Sequence, residues 1–170
     1  MIDNKEEIVK KITKLILTNQ QKMIKEEDLK NLYDRSLDLD FDEIIYEVYK
    51  QLKKFGLYLI KNEFQGYKYY VLISEGKDDN ITPSQYGTLA LILALSKEVN
   101  ENINIDDLIE IFEEVWTFDI QFLIKNDYLR IIEDLNIIKV TPLGKALLNN
   151  IIQDLNLKNL LDVFREKEST

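Results

Sequence analysis

Residues 52–74, LKKFGLYLIKNEFQGYKYYVLIS, change character at a single glycine. Up to Gly56 the apolar residues recur at helical spacing, and Lys53 and Lys54 stand at the end of that helix. Beyond Gly56, LYLI and YKYYVLI are rich in aromatic and branched residues, and NEFQG between them has the composition of a turn. The stretch therefore predicts a helix that ends at a left-handed glycine and leads into a β-hairpin.

Two further helices are predicted before this stretch. Apolar residues from Ile8 to Ile16 fall on one helical face with lysines opposite, and a short helix follows at 25–33. Asp40 is placed to cap the third helix. Three helices followed by a hairpin are the order of a winged helix, so we predict a winged-helix domain over residues 1–76.

The same order recurs in the second half of the chain. The polar segment 75–80, EGKDDN, marks a domain boundary, and Thr82 followed by proline is typical of a helix start. Two more helical patterns follow, and then LRIIE and IIKVT flank DLN as a second hairpin. We predict a second winged-helix domain over residues 77–150, with the same order but little residue identity to the first.

The predicted fold class is mainly α with small β-hairpins (α+β), built from tandem winged-helix domains. Residues 151–170 remain after the two domains. Four apolar residues there recur at i, i+3, i+4 and i+7, which predicts a C-terminal amphipathic helix; they are Leu157, Leu160, Leu161 and Phe164.

Composition removes most familiar enzyme sites. The chain has no Cys and no His, which excludes disulfides, thiolate or imidazole zinc sites and Cys or His nucleophiles. Its five glycines form no Gly-x-Gly or Walker loop for a nucleotide phosphate. We expect a protein that is not an enzyme and has no cofactor or metal.

The longest apolar run, from Leu89 to Leu95, is too short to span a membrane, and the N-terminus lacks a basic signal-peptide start, so we expect a cytoplasmic protein without membrane contact.

Charge weighs against a protein that coats nucleic acid. The 170 residues hold 22 Lys plus Arg and 31 Asp plus Glu, a net charge of -9. Residues 1–76 hold 13 Lys plus Arg and 14 Asp plus Glu, a net charge of -1, so the first domain is the better candidate for DNA binding. Its third helix carries acidic residues where a DNA-reading helix would meet phosphates, which argues against base readout. The candidate DNA-backbone contacts are Lys50, Lys53 and Lys54.

The helix at 86–95 is apolar on nearly every side. A domain this small has few faces in which to bury such a helix, so one interpretation is a groove that receives a partner helix. The alternative is an ordinary core. The candidate partner-binding residues are Leu89, Ile92, Leu93, Leu108, Phe112 and Trp116, with Trp116 as the best single anchor.

The order of these landmarks resembles the melanoma-antigen homology domain. The landmarks are KKFG, LYLIK and YKYYVLIS, then GTLALILALSKEVNENINIDDLIEIF, FLIKNDYLRII and VTPLGKALL, over residues 8–150. That family includes a subunit of the SMC complex active in DNA repair. The wider class is the kleisin-interacting tandem winged-helix elements, and the resemblance implies a prokaryotic or archaeal member of it.

The resemblance implies a non-enzymatic scaffold that binds a kleisin-like helix in an SMC complex for chromosome maintenance or DNA repair. It further implies kleisin and SMC partners, a homodimer or a heterodimer with a related subunit, weak DNA contact at most, and association with the nucleoid. Two alternatives stay open. One is a winged-helix transcriptional regulator that binds DNA, and the other is a tandem winged-helix subunit of an ESCRT-type complex.

Overall fold

The structure is a computed structural model that describes residues 2–34, 36–74 and 80–148. The chain divides into two compact units, Met1–Asp78 and Asp79–Thr170. The predicted boundary after residue 76 lies two residues from this division. The C-terminal helix predicted at 151–170 lies outside the described residues.

Unit 1 has the elements of a winged helix in the expected order. They are α1 (Ile2–Thr18), β1 (Met23–Lys25), α2 (Glu26–Lys30), α3 (Phe41–Lys53), β2 (Leu57–Phe64) and β3 (Tyr67–Ser74). The strands form an antiparallel sheet in the order β1-β3-β2. The core of the unit lies between α1, α2, α3 and one sheet face, and its fully buried side chains include Ile12, Leu29, Ile44 and Val48.

Local sequence signals set the ends of α3 and of the hairpin. The Asp40 side chain accepts a hydrogen bond from the backbone N–H of Asp42, which caps the helix. Gly56 follows the helix with φ of 71°, the left-handed conformation that glycine adopts without steric cost. Gln65 and Gly66, both with positive φ, form the two-residue turn between β2 and β3. The predicted cap at Asp40, the left-handed Gly56 and the hairpin are confirmed, but the turn is shorter than NEFQG, since Asn62, Glu63 and Phe64 belong to β2.

A buried carboxylate joins α2 to the sheet of unit 1. Glu26 is 8% exposed, and it forms ion pairs with Lys30 at 2.6 Å and with Lys61 at 2.8 Å. It also accepts a hydrogen bond of 3.3 Å from the Tyr70 hydroxyl. Burial by itself would raise the pKa of Glu26, but the hydrogen bonds and positive charges of the two lysines lower it to about 2.

Unit 2 repeats this succession with three additions: a π-helical turn before α6, a 3-10 turn between the last two strands and a final helix. Its elements are α4 (Pro83–Glu98), β4 (Ile103–Asn104), α5 (Ile105–Ile111), the π-helical turn (Trp116–Ile120), α6 (Gln121–Lys125), β5 (Leu129–Ile132), the 3-10 turn (Glu133–Leu135), β6 (Ile137–Val140) and α7 (Pro142–Leu147). Its sheet order, β4-β6-β5, matches that of unit 1 position for position. Thr82 caps α4 as expected: its side chain accepts from the Gln85 N–H, and the Gln85 side chain accepts in return from the Thr82 N–H.

The predicted fold class is confirmed, with one addition to each unit. The chain is an α+β protein of winged-helix type, and its two units have the same order of α-helices and strands up to β6, after which unit 2 continues with α7. Sequence reasoning missed β1 and β4, each of which adds a third strand to its hairpin. These strands are three and two residues long, so no alternation of apolar and polar residues could reveal them.

Candidate partner-binding surface

Helix α4 is the central helix of unit 2. It packs against the π-helical turn and against β6, and most of its residues from Thr88 to Ser96 are buried. Leu89 and Ile92 are fully buried, as is Leu108 of α5. Full burial of each such side chain is worth about 1.5–3 kcal/mol. Helix α4 is therefore apolar on nearly all sides because it is a core helix with other elements packed against it.

Five of the six predicted partner-binding residues lie in the core of unit 2. Leu89, Ile92, Leu93, Leu108 and Phe112 are all at most 8% exposed, because the π-helical turn and the sheet pack against α4. Their role in partner binding stays a prediction. The sixth residue, Trp116, is half-buried at the start of the π-helical turn.

Three large apolar side chains in the described part of unit 2 are at least 60% exposed: Ile111, Phe118 and Leu135, of which Leu135 is 65% exposed. Ile111, at the end of α5, is 60% exposed, and Phe118, in the π-helical turn, is 77% exposed. Val115 and Phe122 are half-buried. Ile111, Val115, Phe118 and Phe122 follow one another in sequence at spacings of four, three and four, and we refer to them as the 111–122 stripe. Sequence reasoning did not identify Ile111 or Phe118, although this helical spacing was the signal that could have done so.

The chain turns between α5 and α6. Helix α5 ends at Ile111, and the next residue, Phe112, has φ of -113° and ψ of 27°, which is not helical. The Phe112 N–H donates to the Leu108 carbonyl, the Val115 N–H to the Phe112 carbonyl, and the Asp119 N–H to the Val115 carbonyl, at 2.9–3.1 Å. The π-helical turn then leads directly into α6, so Ile111 and Phe118 belong to different helical segments.

A buried carboxylate holds the π-helical turn against α4. Asp119 is 6% exposed, and its Oδ2 accepts hydrogen bonds from the Ser84 hydroxyl at 2.6 Å and from the Thr88 hydroxyl at 3.0 Å. Its neighbour Ile120 is fully buried. Because residues 119 and 120 point into the unit, Phe118 is left on the outside of the turn.

The surroundings of the 111–122 stripe are acidic. No Lys or Arg occurs between Lys97 and Lys125, whereas Glu110, Glu113 and Glu114 lie next to the stripe in sequence and are exposed. None of these three glutamates takes part in an ion pair among those described for residues 2–34, 36–74 and 80–148. This stretch of sequence thus combines exposed apolar side chains with glutamates that form no ion pair among the described residues.

The candidate DNA contacts lie at the C-terminal end of α3. Lys50 forms an ion pair with Glu47 at 2.9 Å, and the hydrogen bond from this pair raises the pKa of Lys50. Lys53 lies over the ring of Tyr49, with 5.8 Å between its Nζ and the ring centroid, and Lys53 and Lys54 are both exposed. The lysines are therefore accessible, but the positive charge of Lys50 is already offset.

The acidic residues of α3 are exposed where they would repel a DNA backbone, as the sequence suggests. Asp42 and Glu43 are exposed in the first turn, and Glu43 is only partly compensated by an ion pair with Lys5 of α1 at 2.9 Å. A phosphate backbone that approached this face would meet carboxylates at one end and lysines at the other. The face has no continuous basic strip.

The described parts of the two units hold neither a metal cluster nor a membrane-spanning helix. Their residues contain no group of three or more Asp or Glu side chains arranged to bind a metal ion. No helix among them is long and apolar enough to cross a membrane.

Comparisons with known proteins support the fold and leave the family open. No protein-family model matches the chain, and no curated protein matches it. Among solved structures, a chain of the "Nse1-Nse3-Nse4 complex" matches with a TM-score of 0.55 and 11% sequence identity. The match covers 88% of this chain and 76% of the other. At this identity the similarity shows a shared fold, and membership of the named complex is a property of that other protein.

Proposed function

We propose that this protein is a non-enzymatic scaffold subunit of an SMC-type chromosome complex and that it binds a helix of a kleisin-like partner. The observation that carries the proposal is the tandem winged-helix fold, which is shared over 88% of the chain with a subunit of the Nse1-Nse3-Nse4 complex. The resemblance to the melanoma-antigen homology domain, noted over residues 8–150, points to the same class of assembly. The absence of Cys and His supports a role without catalysis.

The exposed apolar residues of unit 2 are more typical of a protein that binds a partner protein than of one that functions as a monomer. Single exposed apolar residues are ordinary, but Ile111 and Phe118 are among the most exposed large apolar side chains described in unit 2. A partner helix that covered these side chains would remove them from water. The buried residues Leu93 and Phe112 are unsuitable for testing this idea, because an Asp at either position would disrupt the core of the unit.

Affinity purification of the tagged full-length chain from its native host, followed by mass spectrometry, tests the proposal. We expect an SMC ATPase and a kleisin-like protein to be recovered in amounts comparable to the bait. Recovery of coiled-coil filament proteins in their place would favour the ESCRT-type alternative. Recovery of neither group, with only chromosomal DNA fragments, would favour a transcriptional regulator and would overturn the proposal.

A further inference from the structure

The hydroxyl group of Ser84 joins the surface of unit 2 to a buried carboxylate. Ser84 is the second residue of α4 and is exposed, and its Oγ donates a hydrogen bond of 2.6 Å to Oδ2 of Asp119, which is 6% exposed. Thr88 donates to the same oxygen at 3.0 Å, but Thr88 is buried. Of the two hydroxyl donors to Asp119, Ser84 is therefore the one that an enzyme can reach from solvent.

Two other exposed hydroxyl residues show how the position of Ser84 differs from an ordinary surface position. Thr82 accepts a hydrogen bond from a backbone N–H in the first turn of α4. Ser36 lies beside Asp34, a carboxylate that is itself exposed. Loss of either contact changes groups at the surface, whereas loss of the Ser84 contact acts on Asp119 in the interior of the unit.

A phosphate on Ser84 would reverse the polarity of this contact. The hydroxyl donates its proton to Asp119, but a phosphoserine carries about -1.5 to -2 charges at neutral pH and its oxygens accept hydrogen bonds. Two negatively charged groups would then face each other where little water can screen them, so the contact would break. The sequence has no Lys or Arg from residue 78 to residue 96 that could offset the added charge.

Helix α4 would tolerate this phosphate better than the π-helical turn would. Negative charge in the first turn of a helix is stabilising, because the helix dipole places partial positive charge there. The first turn of α4 has no acidic residue of its own. The repulsion would therefore be relieved by movement of Asp119, which belongs to the π-helical turn, and α4 would remain folded.

We propose that Ser84 is a phosphorylation site and that its phosphate releases Asp119, and with it the π-helical turn, from α4. In the modifying step the Ser84 Oγ attacks the γ-phosphorus of ATP held by a serine kinase. The Oγ–P bond forms, the bond from that phosphorus to the ADP oxygen breaks, and the hydroxyl proton passes to a basic group of the kinase. Only the first residues of α4 have to unwind for Ser84 to enter such an enzyme.

Phosphoserine incorporated at position 84 of the full-length chain tests the structural effect. We expect the midpoint of thermal unfolding, followed by Trp116 fluorescence, to fall by about 4–8 °C. Acrylamide should quench Trp116 roughly 2-fold more strongly, because this residue begins the turn that is released. The sequence holds a single tryptophan, so the signal reports on this turn. Phosphoserine at Ser36 in unit 1 is the matched control and should leave both readouts unchanged.

The Asp119→Asn variant separates charge repulsion from the bulk of the phosphate. Asparagine keeps the size of the side chain, carries no charge and has an N–H group that can donate to the phosphate. Phosphoserine at position 84 should therefore lower the unfolding midpoint of this variant by less than about a quarter of its effect in the parent chain. An equal loss in both backgrounds would overturn the release of Asp119. Unchanged melting and quenching of the phosphorylated parent chain would overturn it as well.

Mass spectrometry of the chain purified from its native host tests whether the modification occurs. We expect a phosphopeptide with the phosphate on Ser84 that disappears after phosphatase treatment. Fully unmodified Ser84 in both growing and stationary cells, or phosphate on Thr82 alone, would overturn Ser84 as the site. These measurements need no partner protein, so failure to recover an SMC ATPase and a kleisin-like protein would count against the proposed function and leave this inference standing.

Discussion

Two helical glycines have opposite surroundings, although the sequence gives no sign of the difference. A Cβ on Gly144 of α7 would collide with the backbone carbonyl oxygen of Tyr128 and would lie 2.9 Å from a methyl carbon of Val140. A Cβ on Gly87 of α4 would meet nothing within 4 Å. Backbone cannot give way as a flexible side chain can, so the close approach of α7 to the start of β5 requires glycine.

We predict that Gly144→Ala lowers the free energy of unfolding by about 1–3 kcal/mol, because the added methyl overpacks this contact. Gly87→Ala serves as the control and should raise it by about 0.5–1 kcal/mol, since alanine is the better helix former in open space. Urea denaturation followed by circular dichroism measures both. Equal effects of the two substitutions would contradict the close packing of α7.

The lowered pKa of Glu26 leads to a second prediction at the scale of a single residue. Its ordinary value is 4.5 and its value in the folded protein is about 2, so the ionised form is stabilised by folding. This contribution is fully present above pH 4.5 and is lost as the pH falls from 4.5 towards 2. We expect it to be roughly 2–3 kcal/mol, because solvent screens the partly exposed heads of Lys30 and Lys61.

Comparison of the parent chain with Glu26→Gln isolates this contribution. At pH 7 the variant should unfold more readily, and near pH 2 the two proteins should become similar. Near-ultraviolet circular dichroism suits the measurement, because seven of the nine tyrosines lie in residues 1–78. A stability difference that does not change between pH 7 and pH 2 would show that the ionised carboxylate is not what folding stabilises.

At the scale of elements, a buried carboxylate connects the π-helical turn to α4. Asp119 accepts hydrogen bonds from Ser84 and Thr88 of α4, and this contact ties the turn to the central helix of the unit. Removal of the carboxylate leaves two hydroxyl groups that must find other partners. The conformation of the turn, and with it the exposure of Phe118, therefore rests on contacts between residues that are 31 and 35 positions apart in sequence.

We predict that Asp119→Ala destabilises unit 2 by about 1–3 kcal/mol. It should also change the fluorescence of Trp116, the only tryptophan in the sequence, because this residue begins the same turn. The exposed residue Asp134 provides the control, and Asp134→Ala should change stability by less than about 0.5 kcal/mol. An unchanged spectrum and stability in Asp119→Ala would mean that the turn holds its shape without the carboxylate.

At the scale of the whole molecule, net charge decides how the protein meets DNA. The chain carries a net charge of -9, and α3 presents carboxylates as well as lysines. We predict that duplex DNA binds only at low salt, with a dissociation constant weaker than about 100 μM at physiological salt. Electrophoretic mobility shifts at 20 and 150 mM salt measure this.

The double variant Lys53→Glu with Lys54→Glu should abolish the residual low-salt binding, because these two lysines are exposed at the end of α3. The control, Lys10→Glu with Lys14→Glu, reverses two exposed lysines on α1 and should have a smaller effect. Tight binding at 150 mM salt that is lost in the first variant would favour the transcriptional-regulator alternative.

Much of the fold could be predicted from local sequence, because the signals involved act over a few residues. Asp40 and Thr82 cap their helices, Gly56 takes its left-handed conformation, and the turn before Tyr67 lies where the sequence places it. The two-fold repetition of helices and hairpins follows from the order of these signals. The short strands β1 and β4 could not be predicted, because each is defined by its pairing with a strand at least 33 residues away.

The sequence by itself determined the elements of this protein, their order and the class of fold, since caps, turns and hydrophobic periodicity are local properties of the chain. Only the tertiary structure decided which apolar residues are covered. Leucine and phenylalanine are both apolar residue types, yet Leu89 is fully buried and Phe118 is 77% exposed. The reason is physical: burial depends on which other elements pack against a side chain, and contacts between elements, such as that of Ser84 with Asp119, join residues that are far apart in sequence.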